Sequence, residues 1–356
     1  MNDSQASLNP VLYTEKAYYA LSEYLEEQNP SKVFILVDSN THEHCLASFL
    51  GKIEKEIETE VIEIEAGEEF KNLQTCEGVW NVLSELGADR KSLLINLGGG
   101  VVTDLGGFVA SAFKRGIKFI NVPTSLLAMV DASVGGKTGV DLGNLKNQIG
   151  VINQPEMVMI DIEFLATLPQ EEMRSGLAEI LKHGLIASKA YWKKVSNLSS
   201  LNLTHLEEII KESVEIKKDV VLKDPFENGL RKTLNYGHTL GHAIESYCLT
   251  HSDKKKLLHG EAIAAGMILE TYISSELKNF PKQDLIEITK IITEIYGTEQ
   301  YSKEDINQIK DLMKFDKKNE RGQINFVLLE EIGKPVIDIV VPGELIDRAF
   351  QYYLNN

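Results

Sequence analysis

Residues 93–97 (LLINL) form a short apolar run that leads straight into Gly98-Gly99-Gly100. Such a run is too short for an ordinary helix and shows no polar face, so it predicts a strand buried on both sides. Three more runs repeat the pattern. Residues 33–37 (VFILV) stop at Asp38-Ser39-Asn40, residues 117–122 (IKFINV) stop at Pro123, and residues 158–162 form the fourth. Segments of helical length lie between them. Strands of this kind separated by helices fold as a parallel sheet with helices on both faces.

The character changes near Pro169. Thr167-Leu168-Pro169-Gln170-Glu171-Glu172 predicts a helix start, with a capping hydroxyl, an early proline and acids in the first turn. From there to about residue 315 apolar residues recur at helical spacing, with little strand pattern. Residues 325–329 and 336–341 read as short strands or extended segments. The expected boundary lies near residue 165, dividing the chain into 1–165 and 166–356.

The chain has 356 residues, enough for two domains with a large core. Thirty-seven basic against 53 acidic residues leave a net charge of −16, which excludes strong non-specific attraction to nucleic acid or anionic lipid. An anionic ligand would have to meet a local cluster of Lys and Arg. Cys45, Cys76 and Cys248 form no paired motif, no leader-like segment opens the chain, and no stretch is apolar enough to span a membrane. A cytoplasmic location is therefore expected.

Gly98-Gly99-Gly100-Val101-Val102-Thr103-Asp104 follows a strand and opens a helix. Glycine there lets backbone approach a pyrophosphate at a helix N-terminus, or lets helix and strand pack closely; both readings stand on the residues alone. Thr103 takes the place of the third glycine of the common dinucleotide fingerprint. Asp38, at the end of an earlier strand, is placed to take a ribose hydroxyl. Gly135-Gly136-Lys137-Thr138 is not a nucleotide-hydrolase loop, because Asp131 stands where that loop needs its first glycine. What remains there is Asp131, Lys137, Lys146 and Asn147 in small, polar sequence, either a solvated loop or an anion site.

The second half carries Asn235-Tyr236-Gly237-His238-Thr239-Leu240-Gly241-His242, then His259-Gly260-Glu261. Earlier, Glu179 and Lys182 share a helical face with His183 beside them. Two histidines and a carboxylate with an open position is the pattern of a catalytic zinc. Spacing alone makes His238 and His242 the first ligand pair, and sets Arg231 and Asn235, seven and three residues earlier, on the face of His238. Lys217 and Lys218 lie one helical segment before, so basic groups gather near the expected metal.

Six motifs, LGGGVVTDLGGF, FKRGIKFINVPTSLLAMVDASVGGKTGV, LKNQIG, GLAEILKHG, GLRKTLNYGHTLGHAIE and HGEAIAAGM, closely resemble the 3-dehydroquinate synthase family in order and spacing. The likeness runs from about residue 30 to 335. It implies an N-terminal Rossmann-like α/β domain for NAD, a mainly α-helical C-terminal domain for metal (zinc or cobalt) and substrate, and a homodimer. The implied reaction turns 3-deoxy-D-arabino-heptulosonate 7-phosphate into 3-dehydroquinate and phosphate. It passes through transient oxidation, phosphate loss, re-reduction, ring opening and aldol closure, with NAD recycled.

By resemblance, Glu179, His238 and His259 match the metal ligands, and His242 matches a proton-handling residue on the substrate. Asp131, Lys137, Asn147, Lys182, Lys217, Arg231 and Asn235 match the substrate pocket. Arg115 matches an arginine that reaches the neighbouring subunit's substrate phosphate, and Lys317 or Lys318 matches a further lysine. Asp38, Asn40, Glu68, Lys71, Gly99, Gly100, Val101, Val102, Thr103, Asp104, Thr124, Ser125, Lys137, Lys146, Phe164 and Thr167 match NAD contacts.

The chain departs from the family in two places. Thr124-Ser125 stands for a common Thr-Thr pair, and Asp141-Leu142-Gly143-Asn144-Leu145 stands for a common Asn-His-Pro-Leu-Gly. Another sugar-phosphate cyclase, or a metal-dependent alcohol or glycerol dehydrogenase, is the competing reading. The retained Asp131, Lys146, Asn147, Arg231 and Asn235 favour the first family over its sister cyclases, and the cation cluster speaks against a dehydrogenase.

Overall fold

A computed structural model describes residues 8–53, 58–143, 145–197, 203–313 and 323–356. Asn144, Lys317 and Lys318 lie outside the described residues. The chain divides into two compact units, Met1–Pro169 and Gln170–Asn356.

Among the described residues, eight strands belong to the first unit: β1 (Val11–Tyr13), β2 (Val33–Asp38), β3 (Thr59–Ile64), β4 (Leu93–Gly98), β5 (Lys118–Pro123), β6 (Lys137–Leu142), β7 (Leu145–Ile152) and β8 (Val158–Ile160). Six of them form one sheet in the order β1-β8-β5-β4-β2-β3, and every paired edge is parallel. The four apolar runs become β2, β4, β5 and β8. Phe34, Leu36, Leu94 and Phe119 are fully or almost fully buried, packed with Val102, Leu105 and Val109 of the Gly100–Ala112 helix.

The connection from β2 runs to β3 on one side of the sheet, and the connection from β4 runs to β5 on the other. This reversal opens a crevice at the carboxyl ends of β2 and β4, where open α/β sheets bind ligands. Helix and sheet come very close behind it. A Cβ on Gly106 would lie 2.0 Å from Asn96 Oδ1 and 2.9 Å from Leu36 Cδ2, and one on Gly98 would lie 2.5 Å from Val102 Cβ. Close packing therefore accounts for glycine at both positions.

The polar stretch around residues 131–147 is not a loop throughout. β6 and β7 pair antiparallel, with Gly139 facing Gly150. A Cβ on Gly150 would meet Thr138 O at 2.1 Å, so the two backbones touch where those glycines cross. Gly135 and Gly136, with φ of 106° and 69°, turn the chain into this hairpin as only glycine does readily.

The second unit is mainly helical. Its long helices are Gln170–Ala187, Leu203–Lys223, His238–Thr250, His259–Leu277, Lys282–Tyr296 and Gly343–Leu354. His259–Leu277 is buried on every side, from Gly260 to Ser274, as a helix at the centre of a bundle must be. The uncertain segments near residue 330 pair as an antiparallel hairpin, β9 (Asn325–Glu331) with β10 (Lys334–Val340). The helix start near Pro169 is at Gln170, but Thr167 does not cap it: its hydroxyl donates to Phe164 O at 3.3 Å. No described helix is long and apolar enough to cross a membrane.

Two glycine substitutions separate packing from propensity. Gly106→Ala is expected to cost about 1–3 kcal/mol by overpacking against the buried Asn96. Gly78→Ala, in the Leu73–Glu85 helix with nothing within 4 Å of a new Cβ, is expected to stabilise by about 1 kcal/mol. Urea denaturation of both variants measures the contrast.

Candidate cofactor and metal sites

At the crevice of the first unit, β4 ends at Gly98 and the next helix opens at Gly100, with Gly99 as the cap residue. No side chain caps this N-terminus and no acid lies in its first turn, so its N–H groups and dipole face the crevice. A Cβ on Gly99 would come no closer than 3.4 Å to Ser125 Oγ, and one on Gly100 no closer than 3.5 Å to Ala132. Neither backbone angle nor packing within the chain demands glycine at 99 and 100. The room left there would admit close approach of a phosphate to the backbone, and these residues fit a dinucleotide.

Neighbouring residues gather at the same edge. Thr124 N donates to Gly98 O at 3.0 Å, and Ser125 lies beside Gly99. Thr103 turns its hydroxyl back to Gly99 O, and Val102 is buried behind the turn while Val101 is half-buried. Asp38 caps the short helix that holds Asn40, accepting from Thr41 N at 2.8 Å. Burial, then the nearby Asp38 carboxylate, pushes the Cys45 thiol up to about 11, against hydroxyl contacts from Thr167 and Thr124. Asp38, Thr124 and Thr167 thus surround Cys45. Phe164, in the same turn as Thr167, is buried.

A second cluster ties the β6–β7 hairpin to the Gly100–Ala112 helix. The Lys71 ammonium is buried and donates to Asp104 Oδ2 and to Asn147 Oδ1, each at 2.7 Å. Burial opposes charge on Lys71, but the carboxylates of Asp104, Glu68 and Asp141 outweigh it and hold the amine above its usual range. Lys146 lies 3.2 Å from Glu68. Asn147 has a left-handed backbone, φ 52°, and its N–H donates to Asp141 Oδ1 at 2.6 Å. Asp141 belongs to the stretch that departs from the family pattern, and it is a fixing point that sequence reasoning missed. Burial raises its carboxyl above the usual range. Asp131 is half-buried in the turn Ala128–Ala132, and Lys137 is exposed at the start of β6.

In the second unit, Glu179, His238, His242 and His259 come together. Glu179 is fully buried, with Oε1 at 3.4 Å from His238 Nε2 and 3.5 Å from His259 Nε2. Those separations exceed a normal hydrogen bond. They match the edge of a tetrahedron, since ligands about 2.0–2.1 Å from zinc stand about 3.4 Å apart. The donor set of one carboxylate and two imidazoles suits zinc or cobalt. Ring nitrogens of His238, His242 and His259 also lie within 4.8 Å of one another.

Outer partners hold the two rings. His238 Nδ1 is 3.0 Å from Tyr236 O, and His259 Nδ1 is 3.3 Å from the buried Glu245 Oε2. Each contact fixes the Nδ1–H form and turns Nε2 toward Glu179. Burial opposes charge on His259, yet Glu245 and Glu179 push it up to about 9, so a metal there would displace a proton. Glu270, fully buried, accepts from Gly237 N at 2.7 Å and Leu240 N at 3.3 Å, pinning the start of the His238 helix. Sequence reasoning missed Glu270, which sits in an apolar run with nothing to mark it.

Cations stand close by. Lys182 pairs with Glu179 and is fully buried. Lys217 and Arg231 are buried on segments that pack against the Glu179 helix. Arg231 Nη1 donates to Pro225 O at 2.7 Å, and Asn235 Nδ2 to Glu227 Oε1 at 2.8 Å. Arg231 and Asn235 do not share a helix with His238. They lie in the tight turn Leu230–Asn235, and Gly237, with φ 79°, breaks the chain before the helix begins. Lys218 pairs with Glu215 at 2.6 Å and belongs to the outer face, and His183 is a core residue bonded to Ser213 at 2.6 Å. Arg115 is exposed in the first unit, next to Lys114; both have left-handed backbone, φ 69° and 49°.

A parallel sheet with a backbone phosphate cradle, followed by a helical unit with a carboxylate–histidine centre, is the architecture of two-domain enzymes that use a dinucleotide with a metal. Residues 61–175 match the family model for the N-terminal part of 3-dehydroquinate synthase, and residues 176–319 match that for its C-terminal part. The chain belongs to the 3-dehydroquinate synthase family. It is 41% identical over 337 residues to the 3-dehydroquinate synthase of Parabacteroides distasonis, covering 94% of each chain. Among solved structures, 2-deoxy-scyllo-inosose synthase complexed with carbaglucose-6-phosphate, NAD+ and Co2+ aligns over 96% of each chain, with a TM-score of 0.81 and 25% identity. The 2-epi-5-epi-valiolone synthase of Streptomyces hygroscopicus shares the fold at a TM-score of 0.86 and 23% identity, over 100% of this chain and 99% of that one.

The Lys71–Asp104 pair gives a direct test of the cofactor-side geometry. Lys71→Met leaves a carboxylate without its buried partner, and a loss of about 3 kcal/mol is expected in urea denaturation. A change below about 0.5 kcal/mol, the level of an ordinary surface substitution, would contradict the geometry.

Proposed function

We propose that the protein carries out its family's reaction, converting 3-deoxy-D-arabino-heptulosonate 7-phosphate to 3-dehydroquinate and phosphate, with NAD and one divalent metal (zinc or cobalt). The carrying observation is the burial of Lys182, Lys217 and Arg231 on segments around the Glu179 helix, in a chain of net charge −16. Lys and Arg gathered in this way suit a substrate that carries both phosphate and carboxylate, in addition to their contacts within the chain such as Lys182 with Glu179. A simple alcohol makes no use of them.

Glu179, His238 and His259 hold the metal. When bound, the metal polarises a substrate hydroxyl and NAD takes up and returns the hydride. The chain's own residues bind and orient. Arg231 offers a planar fork for an anionic group, while Lys182 and Lys217 offer point charges. By resemblance, Asp131, Lys137, Asn147 and Asn235 match polar residues of the family's substrate pocket. His242, with its ring 5.1 Å from that of His238 and 5.7 Å from that of His259, moves a proton at the substrate without ligating the metal.

The uncapped turn at Gly99 and Gly100 takes the pyrophosphate of NAD, with Val101, Val102, Thr103 and Asp104 as the rest of that wall. Asp38 and Asn40 take the ribose side, and Glu68, Lys71, Lys146, Thr124, Ser125, Phe164 and Thr167 line the remainder. The protein works as a homodimer. The paired left-handed residues Lys114 and Arg115 support this, because an exposed guanidinium on strained backbone suits a contact with a neighbour's substrate phosphate. Three buried cysteines, all free, accord with a cytoplasmic location.

The test is phosphate release from the heptulosonate phosphate with catalytic NAD and zinc, with mass identification of the product. Phosphate and 3-dehydroquinate without accumulated NADH are expected. Turnover only of another ketose phosphate would make the protein a sister cyclase, and NADH accumulating with simple alcohols would overturn the reading.

A further inference from the structure

Two of the proposed metal ligands sit on different helices, and the chain joins those helices at one point near both. Glu179 lies on Gln170–Ala187 and His259 opens His259–Leu277. One turn before Glu179, the backbone of Ser175 touches that of Gly260. Ser175 Oγ accepts from Gly260 N at 3.0 Å, and a Cβ on Gly260 would lie 2.1 Å from Ser175 O. The neighbouring pair adds an ionic clamp. Arg174 Nη2 donates to Glu261 Oε1 at 2.5 Å, and Glu261 Oε2 accepts from Leu258 N at 3.0 Å, directly before His259. Lys255 lies 3.3 Å from the same Oε1, and the Tyr296 hydroxyl donates to Arg174 O at 2.8 Å. The Glu261 carboxylate is buried, so its partners are not easily replaced by water.

We propose that Arg174 and Glu261 are positioning residues for the metal: their ion pair, with the Ser175–Gly260 contact, sets the distance between Glu179 and His259. Neither touches the reacting groups. Glu261 caps the first turn of the His259 helix and Arg174 ties that turn to the Glu179 helix. Loss of either lets the first turn shift and opens the 3.5 Å spacing between Glu179 Oε1 and His259 Nε2. The inference rests on the assignment of Glu179 and His259 as ligands.

The experiment measures zinc affinity of the full chain by competition with a chromophoric chelator, for wild type, Arg174→Met, Glu261→Gln, the double variant, Arg174→Lys and Ser175→Ala. Thermal midpoints are recorded alongside. Arg174→Met and Glu261→Gln are each expected to bind zinc about tenfold to a hundredfold more weakly, the range for lost outer-sphere partners. The double variant is expected to lose little more than either, because the pair acts as one unit. Arg174→Lys is expected to recover most of the affinity, and Ser175→Ala, which keeps the ion pair, to show a smaller loss.

A merely structural pair would lower the midpoint and leave zinc affinity of the folded protein unchanged; that result overturns the proposal. Should Arg174→Met fail to fold, wild-type zinc affinity in both Glu261→Gln and Ser175→Ala would overturn it as well. Absence of zinc binding by wild type would instead remove the metal assignment on which the proposal stands.

Discussion

The Glu179 carboxylate is fully buried in the helical unit, and a lone charge in such a place is strongly unfavourable. It faces two imidazoles and the buried Lys182 ammonium. The surrounding helices are arranged to keep that group in register. Gly237, Gly241, Gly260 and Gly266 each lie where a Cβ would strike a neighbouring segment, so the His238, His259 and Glu179 helices approach backbone to backbone. Glu270 and Glu261, both from the His259 helix, cap the two helix starts that carry the histidines. Close approach and capping together convert three separate segments into one donor set.

In the sheet unit the same economy holds with different parts. Glycine at 98 and 106 serves packing, whereas glycine at 99 and 100 leaves room at an uncapped helix start. The reversal of connection at β2 and β4 is what brings that start beside Asp38. Lys71 then joins the Gly100–Ala112 helix to the β6–β7 hairpin through Asp104 and Asn147. The proposed cofactor site and its supporting polar network thus share one buried lysine.

Much of this was legible in the sequence, for reasons that differ by element. β2, β4, β5 and β8 are covered on both faces and read as apolar runs. β1 has three residues, and β3 (TEVIEI) sits at the sheet edge with exposed acids, so neither shows the pattern of its neighbours. The β6–β7 hairpin was hidden by its glycines, which pack backbone on backbone and leave no apolar alternation. Helical spacing rightly groups His238 with His242 on one helix, but it carries no information about the helices packed against it. Glu179 stood out on its own helix, but its pairing with His238 and His259 as a ligand set entered only through resemblance. The same blindness placed Arg231 and Asn235 on the His238 helix, because the break at Gly237 depends on a left-handed φ that Glu270 stabilises.

The central claim is that Glu179, His238 and His259 hold a metal with an open position while His242 stands free of it. X-ray absorption at the zinc edge of the zinc-loaded protein tests this directly. The account predicts two imidazole nitrogens and carboxylate oxygen at about 2.0–2.1 Å, with the remaining position filled by exchangeable oxygen. His242→Ala should leave that spectrum unchanged. A shell of three imidazoles that loses one in His242→Ala would contradict the account and make the histidine triad, without Glu179, the metal centre.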